Sequence, residues 1–227
     1  MDTALITGAS RGIGLKLVEH FLAKGLAVIA TYRGEPSESL ATLAQSDDVK
    51  LHPLEVTDES AVAALGETLS TQTIDILVNN AGVIGPEAQA RDALSSDAWL
   101  ETFAINTLSP LRVSHALLPS LRRATNPRIV TVSSQMGSMV HGGVGLYAYR
   151  SSKAALNKVM HILSQELAED GITVCPIHPG WVRTDMGGET ADISPDESAA
   201  GIVELACGLT FEKTGTFYTW DGRVHPW

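Results

Sequence analysis

The stretch Thr3-Ala4-Leu5-Ile6-Thr7-Gly8-Ala9-Ser10-Arg11-Gly12-Ile13-Gly14 decides how this chain folds. Residues 3–7 form a short apolar, β-favouring run, and three glycines follow at once. From Leu15 to Lys24 apolar residues recur at helical spacing, which predicts a helix over 12–24. Strand, glycine turn and helix, in that order, are the setting in which a glycine-rich loop cradles phosphate. The glycines permit a tight turn and close approach of backbone N–H groups, and the helix N-terminus carries partial positive charge. A second strand candidate at 27–32 completes a β-α-β unit. The loop therefore reads as a dinucleotide site rather than a tight turn with no ligand.

Outward from that unit, further strands are predicted at 49–54, 74–78, 127–133, 172–177 and 215–219. Helices are predicted at 59–70, 97–121, 149–169 and 196–208, the second of these kinked at Ser109-Pro110. Repeated β-α-β with apolar strands predicts an α/β fold, one domain over residues 1–227. It is a Rossmann-type doubly wound parallel sheet of about seven strands with helices on both faces. The glycine loop, Asn79-Asn80-Ala81-Gly82, Ser133-Ser134 and His178-Pro179-Gly180 all follow predicted strands. Right-handed crossovers bring these four segments to one edge of the sheet. The segments 83–96, 135–148 and 183–196 lie beyond those strands and are expected to contact substrate or to act as a lid; simple exposed connection is the alternative.

Bulk composition narrows the function further. The chain has 227 residues, is 44% hydrophobic and carries a net charge of −10. That suits one ordinary core. Acidic residues are spread along the chain and no basic block occurs, which argues against nucleic acid as a partner. An anionic ligand must be held by local cations against the overall field. The first strand begins almost at residue 1, and no apolar run is long enough to span a bilayer, so a cytoplasmic protein with no membrane partner is expected. Cys175, in an apolar run, reads as a core residue. Neither it nor Cys207 belongs to a metal-ligand cluster, the seven histidines have no ligand spacing, and no metal is expected. His141 and His178 fall near the presumed cleft as substrate-side or structural residues.

The chemistry is carried by Tyr149-Arg150-Ser151-Ser152-Lys153. Positions i and i+4 share a helix face, so phenol and ammonium project together. A nearby ammonium favours the phenolate and lowers the tyrosine pKa, making the phenol useful for proton transfer near neutral pH. Tyr147 competes for the role, but its i+4 residue is the uncharged Ser151. Ser133 and Ser134 also compete, because alternation sends neighbouring side chains to opposite faces.

These motifs together resemble the short-chain dehydrogenase/reductase family of single-domain type. The matching residues are Thr7 to Gly14, Asn79-Asn80-Ala81-Gly82, Asn106, Ser134, Tyr149 with Lys153, and Pro179-Gly180, in the family's order over nearly the whole chain. Tyr149 to Asn157, His178 to Gly188 and the closing Trp220-Asp221-Gly222-Arg223 with Pro226-Trp227 are similar to the C-factor/sniffer-like carbonyl reductases. The resemblance implies hydride transfer between a nicotinamide cofactor and a carbonyl or alcohol. It makes Tyr149 the general acid in reduction and Lys153 the group that lowers its pKa and binds the nicotinamide ribose. Ser134, favoured by the family pattern over Ser133, holds the substrate oxygen, and Asn106 positions a relay water with Lys153. Capping by Ser134 and backbone satisfaction by Asn106 are the plainer alternatives.

The resemblance also assigns cofactor contacts to Gly8, Ser10, Arg11, Gly12, Ile13 and Gly14, to Asn80, Ala81 and Gly82, and to Pro179, Gly180, Val182 and Thr184. Where the family has Asp in the third-strand segment this chain has Glu55-Val56-Thr57, so Glu55 and Val56 are expected at the adenine. Electrostatics favours NADP(H) over NAD(H): the second strand ends in Arg33 rather than an acid, and Arg11 offers a second guanidinium for a 2′-phosphate. Glu35 is placed to pair with Arg33. Helices 97–121 and 149–169 are where the family associates, implying a homodimer or homotetramer. The expected activity is NADPH-dependent reduction of a small carbonyl. The rival readings are an NAD(P)-binding sensor or signalling protein with little turnover, and an interaction module that has lost its cofactor.

Overall fold

Alternation along the short apolar runs sorts their side chains onto two faces of one sheet. In the computed structural model, which describes residues 1–89 and 95–227, the strands are β1 (Thr3–Ile6), β2 (Ala27–Tyr32), β3 (Val49–Pro53), β4 (Ile76–Asn79), β5 (Arg128–Val132), β6 (Thr173–His178) and β7 (Tyr218–Thr219). Their order in the sheet is β3-β2-β1-β4-β5-β6-β7. Every neighbouring pair runs parallel, with Ala4 opposite Val28 on one side and Ile76 on the other. The chain reverses its direction of growth between β1 and β4, the position at which a ligand crevice opens beyond the strand C-termini.

Each face has its own core. Ala4, Ile6, Val28, Val78, Val130 and Cys175 point to one side, against α1 (Gly12–Ala23) and α8 (Pro195–Gly208). Leu5, Ile29, Leu77, Ile129 and Val174 point to the other, against α3 (Glu59–Leu69), α5 (Ser109–Ala116) and α7 (Tyr147–Glu166). Cys175 is fully buried, and burial pushes its thiol up to about 12, so it stays protonated and packs as a small apolar residue. No helix among the described residues is long and apolar enough to cross a membrane.

Four elements depart from the sequence expectation. A short helix α2 (Glu38–Leu43) was not foreseen; Ser37 caps it by accepting from the Leu40 N–H, a local signal too brief to register as periodicity. The long helix expected over 97–121 is instead α4 (Ser96–Phe103), a π-helical turn (Ala104–Leu108), α5 and α6 (Leu118–Leu121). Pro110 sits in the first turn of α5, and its missing N–H leaves the Asn106 carbonyl without that donor. The distortion lies one turn earlier, around Asn106. α7 begins at Tyr147, two residues before the expected start, so Tyr149 occupies its first turn. The last strand keeps the expected end at Thr219 but is two residues long rather than five, because Gly215, at φ +74°, still belongs to the preceding turn. Of the predicted loop 83–96, residues 90–94 lie outside the described residues.

Candidate active site

The loop after β1 needs its glycines for space. A Cβ on Gly14 would lie 2.2 Å from the Gly8 carbonyl oxygen and 2.6 Å from Asn80 Nδ2; Gly8 itself has φ +68°. The next loop is zipped onto this one. Asn80 Nδ2 donates to the carbonyls of Thr7 and Gly8 at 2.9 and 3.0 Å, and the Asn80 and Ala81 N–H groups donate to Thr7 Oγ1. Asn80 is thus committed to shaping the glycine loop. The N-terminus of α1 that this loop leads into is bare: Arg11 at the cap position gives no side-chain cap, and the first turn has no acid. Its free N–H groups and dipole make it a ready anion site.

These loops open onto a cleft of about 670 Å³ beyond the strand ends, a size typical of ligand sites. Gly8, Ser10, Arg11, Gly12, Ile13 and Gly14 form one wall; Asn80, Ala81, Gly82, Tyr149, Lys153, Pro179 and Thr184 form the others. Arg33, Glu55 and Val56 stand at the end beside β2. Gly180 and Val182 do not reach the wall. A Cβ on Gly180 would meet Ile193 and Trp220, and Val182 is buried and bridged to Ile193, so both hold the loop that carries Thr184. The cations are not free as the sequence suggested. Arg33 faces Glu55 at 3.7 Å rather than Glu35, and Arg11 forms an ion pair with Asp185. Glu55 Oε1 accepts from Thr57 N–H and Oγ1 at 3.2 and 2.9 Å, which fixes its carboxylate at the end of the cleft beside β2.

The groups expected to handle the proton sit where β5 meets α7. Tyr149 lies half-buried; burial raises its pKa, and the Ser134 hydroxyl beside the phenol works in the opposite direction. Lys153, expected to lower that pKa, does not figure among its causes. Its Nζ donates to the Val132 carbonyl at 2.8 Å, and burial pulls Lys153 down to about 8. Ser134 is the serine that meets the phenol, whereas Ser133, which lines the cleft where Ser134 does not, donates its hydroxyl to Asn157 Oδ1 at 2.5 Å. Ser134 Oγ also accepts from the Met136 N–H at 3.1 Å, so capping and phenol contact coexist in one hydroxyl. Tyr147 is the more exposed of the two tyrosines and packs on Trp99 at 6.5 Å, away from lysine.

Asn106 is fully buried in the π-turn, with its amide spent on structure: it accepts from Val83 N–H at 2.9 Å and donates to the Val83 carbonyl at 2.8 Å and to Ser152 Oγ at 3.0 Å. Its side chain therefore satisfies backbone, the plainer of the two expected roles. Pro110, four residues on, has no N–H to offer the Asn106 main-chain carbonyl. A Cβ on Gly82 would fall 3.3 Å from Asn106 Oδ1 and 3.6 Å from Lys153 Nζ, so a bare backbone there lets both approach the cleft.

Sequence reasoning missed two supporting residues. Gln89 is buried and accepts the Tyr149 N–H at Oε1 at 3.0 Å, while Nε2 donates to the Ile84 and Pro86 carbonyls. It caps the first turn of α7 from sixty residues away, a long-range pairing with no local signature. Asp185 was passed over because its partner is 174 residues distant. His178 is buried next to His225 and His141 and is pulled down to about 4, chiefly by burial, so it is neutral at pH 7.

A glycine-rich loop at the β1/β4 reversal, with tyrosine and lysine one helical turn apart across the cleft, defines an oxidoreductase of the dinucleotide-binding α/β class. The chain belongs to the short chain dehydrogenase family, whose model matches residues 2–194. Among curated proteins it is 41% identical to the C-signal of Myxococcus xanthus over 165 residues, covering 72% of this chain and 99% of that protein. Among solved structures it is similar to the carbonyl reductase Sniffer of D. melanogaster, with a TM-score of 0.95, 31% identity and full coverage of both chains. It is similar also to an NADPH-bound carbonyl reductase from chicken fatty liver, with a TM-score of 0.91, 35% identity, and 100% and 99% coverage.

Proposed function

We propose that this protein is an NADPH-dependent carbonyl reductase acting on a small ketone or aldehyde, reversibly with the alcohol. The observation that carries this reading is the single cleft that gathers the bare N-terminus of α1, Arg33, Tyr149 and Lys153. The residues fit a dinucleotide: the α1 N-terminus and the N–H groups of Ser10 to Ile13 would hold the pyrophosphate, and Arg33 the 2′-phosphate. Pro179 and Thr184 would flank the nicotinamide, which when bound supplies or accepts the hydride. An Arg in place of an acid after β2 supports NADP(H) over NAD(H).

In reduction the neutral Tyr149 phenol donates its proton to the substrate oxygen. Its raised pKa keeps that proton available throughout the physiological range. Ser134 donates a hydrogen bond to the same oxygen as negative charge develops there. Lys153, charged below about 8, holds positive charge beside the site and hydrogen-bonds the cofactor ribose. The Asn106 main-chain carbonyl, denied a donor from Pro110, is the acceptor on which a relay water to Lys153 would rest. Helix surfaces with exposed Leu100, Leu108 and Ile162 support association into a homodimer or homotetramer. Buried or half-buried free thiols at Cys175 and Cys207 support a reducing, cytoplasmic setting.

NADPH oxidation against a panel of aldehydes, ketones and diketones, with Tyr149→Phe beside the wild type, tests the reading. Turnover should fall by about 10²–10⁴-fold in the folded variant. The C-signal relative's name favours a signalling protein that binds NAD(P) with little turnover as the second reading; tight NADPH binding with no turnover across the panel would select it.

A further inference from the structure

β4 and β5 lie between β1 and β6 in the sheet, so three strand spacings separate these two. At about 4.8 Å per spacing that is roughly 14 Å. Yet the loops leaving their C-terminal ends touch. The Arg11 guanidinium, in the loop after β1, forms an ion pair with Asp185, in the loop after β6. Beside that pair, a Cβ on Gly12, the residue after Arg11, would come within 3.3 Å of Cγ2 of Thr184, the residue before Asp185. A contact between these loops must cross over the ends of β4 and β5, which is where the cleft opens.

We infer that the Arg11–Asp185 pair is a latch across the dinucleotide's pyrophosphate, and that Asp185 is the residue that sets how fast cofactor leaves. The inference rests on the cleft taking a dinucleotide. α1 starts at Gly12, directly after Arg11, so an anion drawn to its bare N-terminus lies beneath the pair. Asp185 is presented on a braced loop. Trp181 Nε1 donates to the Gly187 carbonyl at 2.8 Å, the Gly187 N–H to Thr184 Oγ1 at 3.2 Å, and the Arg183 N–H to the Ile193 carbonyl at 2.9 Å. Arg183 Nη1 adds two bonds of 2.9 Å to the Ala191 and Asp192 carbonyls, and its guanidinium also faces Glu197 at 3.7 Å. The latch partners themselves are 79% and 76% exposed, so opening needs only side-chain rotation into water.

An exposed pair of this kind slows release by two- to about fivefold, and salt screens it. Stopped-flow release of bound NADPH and NADH, chased with excess NADP⁺ and followed by cofactor fluorescence, reads this directly. Asp185→Asn should release both cofactors two- to about fivefold faster, because the pyrophosphate is common to both. Asp185→Glu, which keeps the carboxylate, should restore slow release. Glu189→Gln, an exposed charge on the same loop away from the cleft wall, should release at the wild-type rate. Raising salt should accelerate NADH release from the wild type more than from Asp185→Asn. An Asp185→Asn rate and salt response equal to the wild type's overturns the latch while leaving the dinucleotide site intact. Acceleration confined to NADPH overturns it in favour of an effect on the 2′-phosphate. A wild type that binds neither cofactor overturns both the latch and the reading it rests on.

Discussion

α1 and α8 pack side by side on one face of the sheet, tied by Lys24–Glu204 and His20–Asp196. Their N-termini are built in opposite ways. α8 closes its own: Ser194 accepts from the Glu197 N–H, and the Glu197 carboxylate returns to the Ser194 N–H, a complete capping box with Pro195 at the first position. Even its far end is covered, by Arg128 donating to the Ala206 and Cys207 carbonyls. α1 has no side-chain cap and no acid in its first turn. α2, α3 and α4 resemble α8, each capped by its own Ser37, Asp58 or Ser95. These four helices satisfy their ends with their own side chains, whereas α5 and α6 start from the helical turns before them and carry no side-chain cap. The one leading out of the glycine loop leaves its donors for something else, and the cleft lies in front of them.

The largest effect that would break this contrast is at Gly14. A methyl group there would collide with the Gly8 carbonyl, so Gly14→Ala should weaken NADPH binding by on the order of 100-fold or more while costing about 1–3 kcal/mol of stability. Calorimetric titration beside a thermal melt checks it, and undiminished binding would show that the open end is not the cofactor's seat. Next, Arg33→Ala should weaken NADPH by about 10–100-fold, the worth of a charged hydrogen bond, and NADH by less than about twofold. Equal losses for both would remove the 2′-phosphate assignment.

A smaller effect comes from pH. Lys153 is charged below about 8 and loses its proton as pH rises through that value, so the positive charge available to an anionic cofactor is lost upward. NADPH affinity should fall severalfold between pH 7 and 9, where the cofactor phosphates no longer titrate. Lys153→Met should be weaker at pH 7 and flat across the range; a wild type that is itself flat would place that pKa elsewhere. The smallest effect sharpens the other half of the contrast. Ser194→Ala removes a cap that serves only the fold, so it should cost about 1 kcal/mol, a few degrees of melting temperature, with cofactor affinity unchanged.

Legibility in the sequence followed the range of the interaction. The glycine loop, the apolar strands and the Tyr149–Lys153 spacing are local patterns, and the structure realises each within a residue or two, except the last strand, which starts three residues late. The π-turn at Asn106 was not legible as such, because its stabilising bonds go to Val83 and Ser152, in other parts of the chain. Gln89 and Asp185 had no local signal at all. Arg11 was read as a second phosphate cation from its place in the loop, and the fold hands it a carboxylate from the far side of the cleft.

By itself the sequence determined the order of strands and helices, the sheet they build, and the residue types at the cleft, because hydrophobic period and glycine placement act over a few residues. Tertiary structure decided which charges are neutralised, which serine meets the phenol, and where Lys153 spends its proton. Those outcomes depend on burial and on partners brought together from distant segments, and a pKa or an ion pair exists only once the chain has closed around it.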